Sequence, residues 1–154
     1  MVALSILTIG LIGIATLLVR SFFLSHVTAD ELTATYLASE GVELTKNIVD
    51  HDGYDGNGWG YSFSQGNGGD YEFDYAIGTT GPYVLPAYAG TPLKYDAATG
   101  RYNYETGTAT PFTRLIRVKV AQNEITVNSI VDWTTGSITN QSVNVEDHFY
   151  NWRT

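Results

Sequence analysis

Residues 1–19 read MVALSILTIGLIGIATLLV and contain no charged side chain, and the first charge in the chain is Arg20. A helix rises about 1.5 Å per residue, so this stretch spans about 28 Å, close to the ~30 Å hydrocarbon core of a bilayer. No other part of the 154 residues is comparably apolar. The stretch therefore belongs in lipid or inside a packed bundle of similar helices.

The same stretch differs from a cleavable signal peptide. Such a peptide has a basic start, an apolar core of about 7–15 residues and small residues at its cleavage site. Here no basic residue precedes the apolar stretch, which is longer, and Ser25-His26-Val27 fits a cleavage site poorly. We therefore expect residues 1–24 to form a helix that crosses a membrane or packs in a bundle of similar helices, with Leu4, Leu7, Leu11, Ile14 and Leu18 on its apolar surface.

Beyond Arg20 the pattern becomes that of an amphipathic helix. Apolar residues recur at i, i+3, i+4 and i+7 spacing on one stripe, with polar residues off it. The stripe comprises Ala34, Leu37, Ala38, Gly41, Leu44 and Ile48. Since no Pro or Gly separates it from the apolar stretch, residues 25–50 are expected to continue the first helix. The alternative is a second helix that restarts at Thr28-x-x-Glu31, which has capping-box spacing.

Residues 51–154 are predicted to form a Gly-rich loop and an antiparallel sheet, in one globular domain. Residues 51–70, HDGYDGNGWGYSFSQGNGGD, have the composition of a loop. Apolar and polar residues then alternate with a period of two, first at Tyr71, Phe73 and Tyr75 around Glu72 and Asp74. Two later stretches alternate in the same way: one face of the first carries Phe112, Arg114, Ile116, Val118 and Val120, and one face of the next carries Ile125, Val127, Val131 and Trp133. A last strand is predicted to begin at Val143.

Short turns connect these predicted strands. Gln122-Asn123 and Thr134-Thr135-Gly136 separate the last three strands, and residues 96–100 close a hairpin between residues 93–95 and 101–104. Neighbouring strands with short turns imply an antiparallel meander. One face of the sheet needs cover, which the amphipathic stripe provides through Leu37, Ala38, Leu44 and Ile48. The predicted fold class is α+β, a long N-terminal helix packed on an antiparallel β-meander.

Composition and motifs exclude several functions. The net charge of -8 makes nucleic-acid binding unexpected, because phosphate contacts need a basic surface. The chain has no cysteine, which excludes thiolate metal sites, cysteine nucleophiles and disulfides. No nucleotide-binding, hydrolase or H-x-x-x-H motif occurs. We therefore expect neither enzyme activity nor a cofactor.

One loop raises the possibility of calcium. Asp50, Asp52 and Asp55 alternate with glycines, and calcium prefers such carboxylate and carbonyl oxygens. The EF-hand pattern fails, however, because Tyr61 stands at its twelfth position in place of Glu. A simple connection between helix and sheet is the favoured interpretation. Two weaker signals are the many tyrosines, which suit either strands or an adhesive surface, and the glycosylation sequon Asn140-Gln141-Ser142.

Three segments resemble the type IV pilin and pseudopilin family. Residues 2–13, VALSILTIGLIG, are similar to the stretch that follows the prepilin cleavage site. Residues 36–41, YLASEG, resemble the Y-L-A-x-E-G signature of minor-pilin-like sequences, and residues 146–152, EDHFYNW, resemble the ending of that group. The resemblance covers the helix and the tail, and the Gly-rich middle only in composition.

The chain also departs from that family. The family has a short basic leader ending in Gly, followed by a Phe-Thr-Leu-Ile-Glu-like start, whereas residue 1 here already lies in the apolar stretch. No residue of this chain can therefore be assigned to processing. Arg20 opposes the positive-inside rule, an imbalance that such a leader would correct. Gly10 and Gly13 take the place of the helix-kinking Pro of many pilins, and permit local melting or close packing.

The resemblance implies a structural subunit, a minor pilin or pseudopilin, of a type IV pilus-like or type II secretion-like filament. It implies that residues 1–24 form a transmembrane and filament-core helix, with Leu4, Leu7, Leu11, Ile14 and Leu18 as its membrane and assembly residues, and that residues 51–154 form an extracytoplasmic globular domain. It implies a single pass of the inner membrane before assembly, and an extracellular or periplasmic filament afterwards. The implied partners are other pilin subunits, the prepilin peptidase and inner-membrane assembly proteins. The alternative is a membrane-anchored binding or adhesion module that does not polymerise. The codons upstream of Met1 discriminate the two, because a basic leader favours the filament.

Overall fold

One helix opens the chain in the computed structural model, which describes residues 2–55, 58–63, 66–77, 83–136 and 138–151. This helix, α1, runs from Val2 to Asp55 without a break. The alternative restart at Thr28 is wrong, because the Thr28 hydroxyl donates to the Leu24 carbonyl (3.1 Å) within the helix and caps nothing. The expectation of one continuous helix is confirmed.

The helix is longer than its sequence pattern predicts. It extends five residues beyond Asp50, into the segment predicted to be a loop. Its buried positions follow one face as far as Asp52, which is only 2% exposed, and include Val49 at 2%. Burial of this last turn against the rest of the protein outweighs the loop-forming composition, as packing commonly outweighs local propensity.

In the part of the chain that the structure describes, six antiparallel strands form a single sheet. They are β1 (Gly69–Tyr71), β2 (Pro92–Asp96), β3 (Arg101–Asn103), β4 (Thr108–Val120), β5 (Glu124–Thr135) and β6 (Ile138–Tyr150). The order across the sheet is β3-β2-β4-β5-β6, and β1 pairs with β4. The predicted α+β class, with a long helix on an antiparallel sheet, is confirmed.

The hairpins confirm the predicted turns. At Gln122-Asn123 the Ala121 amide donates to the Glu124 carbonyl (2.8 Å) and closes the β4–β5 turn. Between β2 and β3 the Gly100 amide donates to the Asp96 carbonyl (2.8 Å), with Gly100 at a φ of 70° that favours glycine. The β5–β6 connection includes Gly136, but Thr134 and Thr135, which are also predicted to lie in this turn, belong to β5.

Two strand predictions need correction. The alternation over residues 71–75 predicts a strand, but β1 ends at Tyr71 and a 3-10 turn covers Tyr75–Ile77. The last strand begins at Ile138, five residues earlier than Val143. Gln141 and Ser142 are polar, and they pair because β5 presents a long neighbouring strand, with Asp132 opposite Ser142 and Trp133 opposite Gln141.

The helix packs on the sheet through two apolar clusters. Ala34, Leu37 and Ala38 contact the first cluster, which includes Phe112 and Trp133. Val42, Ile48 and Val49 contact the second, which includes Phe63, Tyr71, Phe73, Ile116, Val118, Ile125 and Val127. All of these residues belong to one compact unit, Ala34–Thr154, and the second unit is Met1–Thr33, which contains the part of α1 from Val2 onward.

Candidate membrane and assembly site

The first half of α1 presents an apolar surface. It contains an 18-residue window with a mean hydropathy of 2.1, none of which is buried. Leu7, Leu11, Ile14 and Leu18, four of the residues predicted for the membrane and assembly helix, are 55–66% exposed. The side chain of Leu4 lies outside the described residues. By length and composition this helix can span a membrane.

Hydroxyl groups in this half are satisfied by the helix itself. The Thr16 hydroxyl donates to the Ile12 carbonyl at 2.9 Å, and the Ser25 hydroxyl donates to the Ser21 carbonyl at 3.0 Å. Such bonds to the carbonyl four residues earlier let Ser and Thr enter an apolar environment without a lost hydrogen bond. The hydroxyl groups of Thr16 and Ser25 are therefore compatible with lipid.

The predicted helix–sheet packing residues lie against the sheet. Leu37, Ala38 and Ile48 are at most 3% exposed, and Leu44 is half-buried against the second apolar cluster. Gly41 lies between these positions and has a distinct role. A Cβ atom there would lie 3.2 Å from Arg114 Cδ and would collide with Ser129 Oγ. Glycine lets the helix approach the β4–β5 pair closely at this point.

A buried arginine joins the helix to the sheet at the same level. The Arg114 side chain is fully buried, and its Nη1 donates to the Leu37 carbonyl of the helix at 3.0 Å. Its Nη2 donates to the Phe73 carbonyl at 2.7 Å, and Nη1 lies 3.4 Å from Glu40 Oε2. The alternation of β4 places Arg114 on the core face, but its bonding partners lie 77 and 41 residues away in sequence. Sequence reasoning therefore missed its role.

Two carboxylates that alternation places on the solvent side are buried. Glu72 is 9% exposed and accepts hydrogen bonds from the Ala89 and Thr91 amides (3.1 Å each) and the Thr91 hydroxyl (2.5 Å). Burial raises the pKa of Glu72, but these bonds together with that from Gly90 outweigh it, so its pKa is lowered. Asp74 accepts from the Ala76 amide (2.8 Å) and the Tyr104 amide (2.7 Å). Both carboxylates therefore bind backbone amides of other segments, and neither faces solvent from a strand.

The residues predicted as calcium candidates differ in exposure and in hydrogen bonding. Asp50 is exposed, whereas Asp52 is buried and both its carboxylate oxygens accept from Ser62, from the amide at 2.9 Å and the hydroxyl at 2.6 Å. The side chain of Asp55 lies outside the described residues, as does that of Asn140 in the sequon. No three His, Asp or Glu side chains in the described part of the chain are grouped as metal ligands. Calcium binding stays a prediction, for which calorimetric titration is the test.

The histidines and tyrosines are dispersed. His51 packs edge-on against Tyr83, with ring centroids 5.2 Å apart, and His148 lies between Glu124 and Glu146. Tyr71 is in the core, whereas six other tyrosines of the described part of the chain are exposed: Tyr36, Tyr54, Tyr61, Tyr75, Tyr95 and Tyr150. The Arg101 guanidinium lies over the Tyr75 ring, 5.0 Å from its centroid.

Comparison with protein-family models, with curated proteins and with solved structures finds no match to this chain.

Proposed function

We propose that this chain is a structural subunit, of the minor-pilin or pseudopilin kind, in a type IV pilus-like or type II secretion-like filament. One observation carries the proposal. A single helix combines an exposed apolar segment of membrane length with a segment that packs on a β-sheet. The sequence resemblance of residues 2–13, 36–41 and 146–152 to pilins supports the same function.

The physical chemistry of the helix suits storage and assembly equally well. Lipid tails and the side chains of neighbouring helices are similarly apolar, so the segment is stable in either environment. Its backbone bonds are satisfied within the helix, as lipid requires. Repeated head-to-tail contacts that do not close produce a filament. In this proposal the chain has a structural role and no catalytic one.

The proposal also gives a location and partners. The subunit would pass once through the inner membrane before assembly and then enter an extracellular or periplasmic filament. Its partners would be other pilin subunits, the prepilin peptidase and inner-membrane assembly proteins. The distribution of negative charge is consistent with a domain that is exposed to water, because nearly all the acidic residues lie in residues 34–154.

The test introduces a charge into the apolar segment. Leu11→Asp, at a residue that is 62% exposed, should remove the chain from both the membrane fraction and sheared surface filaments, because a buried carboxylate is costly in lipid and in a helix bundle. The measurement is immunoblotting of the two fractions from the source cells. The matched control is Val84→Asp, which should leave both fractions unchanged. Val84 is 88% exposed and belongs to the compact unit Ala34–Thr154, the sheet-bearing unit.

Two outcomes would oppose the proposal. Normal filaments containing the Leu11→Asp chain would exclude a role of this helix in assembly. A wild-type chain found in membranes and never in filaments would favour the alternative, a membrane-anchored binding module. In that case the exposed tyrosines of the sheet-bearing unit become the first candidates for ligand contact.

A further inference from the structure

One long edge of the sheet is open in the described part of the chain. β6 is the last strand in the order β3-β2-β4-β5-β6, so β5 covers only one of its two edges. The Asn151 amide donates to the Asn123 carbonyl (3.0 Å), directly opposite in the β5–β6 ladder. In an antiparallel pair, alternate residues direct their amide and carbonyl groups towards the partner strand. Odd-numbered residues of β6 therefore bond to β5, and even-numbered residues direct these groups away from the sheet.

One outward amide of this edge is protected by a side chain. The His148 amide donates to the Asp147 carboxylate at 2.8 Å. Among the residues that the structure describes, no side chain accepts in this way from the amides of Ser142, Asn144 or Glu146. Backbone groups of an edge strand that have no partner are a template for pairing with another strand. The middle of β6 is therefore the open part of the edge.

The side chains of β6 leave apolar surface at the same edge. Val143 and Val145 pack against the apolar clusters on the helix-bearing face, but both are only partly buried. Ser142, Asn144 and Glu146 alternate with them on the opposite face and are exposed. A further strand beside β6 would cover apolar surface on one face and meet polar side chains on the other.

A second copy of β6 meets both requirements in one alignment. A two-fold rotation about the sheet normal at Asn144, the midpoint of the strand, pairs the two copies antiparallel over the full length of β6. Even-numbered residues then lie opposite even-numbered residues, so the outward amides and carbonyls of the two copies meet. Val143 lies opposite Val145, and Glu146 lies opposite the uncharged Ser142.

Neighbouring alignments are less favourable. A centre at Val145 places the Asp147 carboxylate opposite the apolar Val143. A centre at Glu146 places this carboxylate opposite its equivalent in the second copy, and like charges directly opposite each other are destabilising. Every centre other than Asn144 also shortens the paired length of β6. Charge, apolar contact and strand length therefore favour the same alignment.

We propose that β6 is a contact between two copies of this chain, which join their sheets edge to edge about a two-fold axis at Asn144. Such a contact is closed, whereas a filament requires a contact that repeats. The inference therefore goes beyond the proposed function and does not depend on it. Because the subunits of one filament share a direction and the two-fold axis reverses it, the contact would join copies that belong to two filaments.

Single cysteines test the alignment, because the chain contains no cysteine. In the full-length chain, oxidised in detergent solution, Asn144→Cys should give a disulfide-linked dimer, since the Cα atoms of this pair would lie about 5.5 Å apart. Ser142→Cys alone and Glu146→Cys alone should not, because about 13 Å of strand separates each from its equivalent. An equal mixture of these two chains should give the dimer. The matched control for random collision is Lys119→Cys, at an exposed residue of β4.

An exchange of side chains tests the same contact by charge. In the Asn144→Cys chain, Ser142→Glu places an acid opposite Glu146 at both equivalent positions and should slow dimer formation about three- to tenfold. Adding Glu146→Ser exchanges the two side chains and should restore the original rate. Both positions are exposed, so the variants should stay folded, which circular dichroism verifies.

Three results would overturn this contact. They are the absence of a dimer from Asn144→Cys, equal dimer yields from Asn144→Cys and Ser142→Cys, and a failure of Glu146→Ser to restore the rate. All three are measured on the chain in detergent, so they leave the filament function standing. A wild-type chain absent from every filament would overturn the filament function alone.

Discussion

At the scale of single residues, Arg114 connects the helix, β4 and the segment after β1. Its guanidinium is fully buried and bonds to carbonyls of the helix and of the segment after β1, so one side chain holds three parts of the protein together. A buried polar group is stabilising only while its partners are present. The counter-ion Glu40 remains partly exposed, with 35% of its side chain accessible.

Replacing Arg114 should strongly destabilise the sheet-bearing unit. Arg114→Ala removes both carbonyl contacts and leaves a cavity, which together should lower the free energy of unfolding by about 3 kcal/mol. Urea unfolding followed by the fluorescence of the buried Trp133 measures this change. The matched control is Arg117→Ala on the same strand, where an exposed pair with Asp70 is lost and the midpoint should barely move. Equal midpoint shifts in the two variants would contradict the assigned role.

His148 should make the β5–β6 pairing sensitive to pH. Glu124 (2.6 Å from Nδ1) and Glu146 (3.2 Å from Nε2) raise the pKa of His148 above its ordinary value of 6.5, Glu124 contributing most. The stabilisation is therefore complete below about pH 6.5 and is lost as the pH rises through the raised pKa. An NMR titration of the His148 ring should give a midpoint above 6.5, which Glu124→Gln lowers. A midpoint at or below 6.5 in the wild type would refute the assignment.

At the scale of elements, the approach of helix to sheet depends on Gly41. Alanine there improves helix propensity by about 1 kcal/mol, but its Cβ collides with Ser129 Oγ. We expect the cost of this collision to exceed the gain in helix propensity, so that the free energy of unfolding falls by about 1–2 kcal/mol.

A double-mutant cycle tests this prediction. Ser129→Ala removes the colliding oxygen and should restore part of the stability lost in Gly41→Ala. Gly13→Ala is the control, because a Cβ at Gly13 meets nothing within 4 Å in the chain, and unfolding of the sheet-bearing unit should not change. If the losses in free energy of unfolding of the two single variants simply add in the double variant, contact between residues 41 and 129 does not limit how closely α1 packs on the sheet.

The elements also differ in how readily sequence predicts them. Alternation of apolar and polar residues predicts β4 and β5 correctly. Both strands are long and bury one face, so every second side chain lies in the core. Residues 71–75 show equal alternation, but Glu72 and Asp74 find hydrogen-bond donors in distant segments, which ends the strand at Tyr71. A periodic pattern cannot distinguish a solvent-facing acid from one that is buried with partners.

For the whole molecule, the division into Met1–Thr33 and Ala34–Thr154 predicts independent folding of the second unit. Both apolar clusters and the Arg114 contacts lie within it. A fragment of residues 30–154 should therefore be folded and should not sediment with membranes, because it lacks the exposed apolar segment. Near-ultraviolet circular dichroism and flotation with lipid vesicles are the measurements. An unfolded fragment would show that the first half of the helix is required for the fold.

The sequence by itself determined the features that depend on neighbouring residues: a membrane-length apolar helix, its amphipathic continuation, and a sheet with short turns. These features arise from composition and period, which act over a few residues. Only the tertiary structure decided the extension of the helix to Asp55, the burial of Glu72 and Asp74, and the bonding of Arg114 beside Gly41. The free energy of a buried polar group depends on partners that are distant in sequence, so no local pattern specifies it.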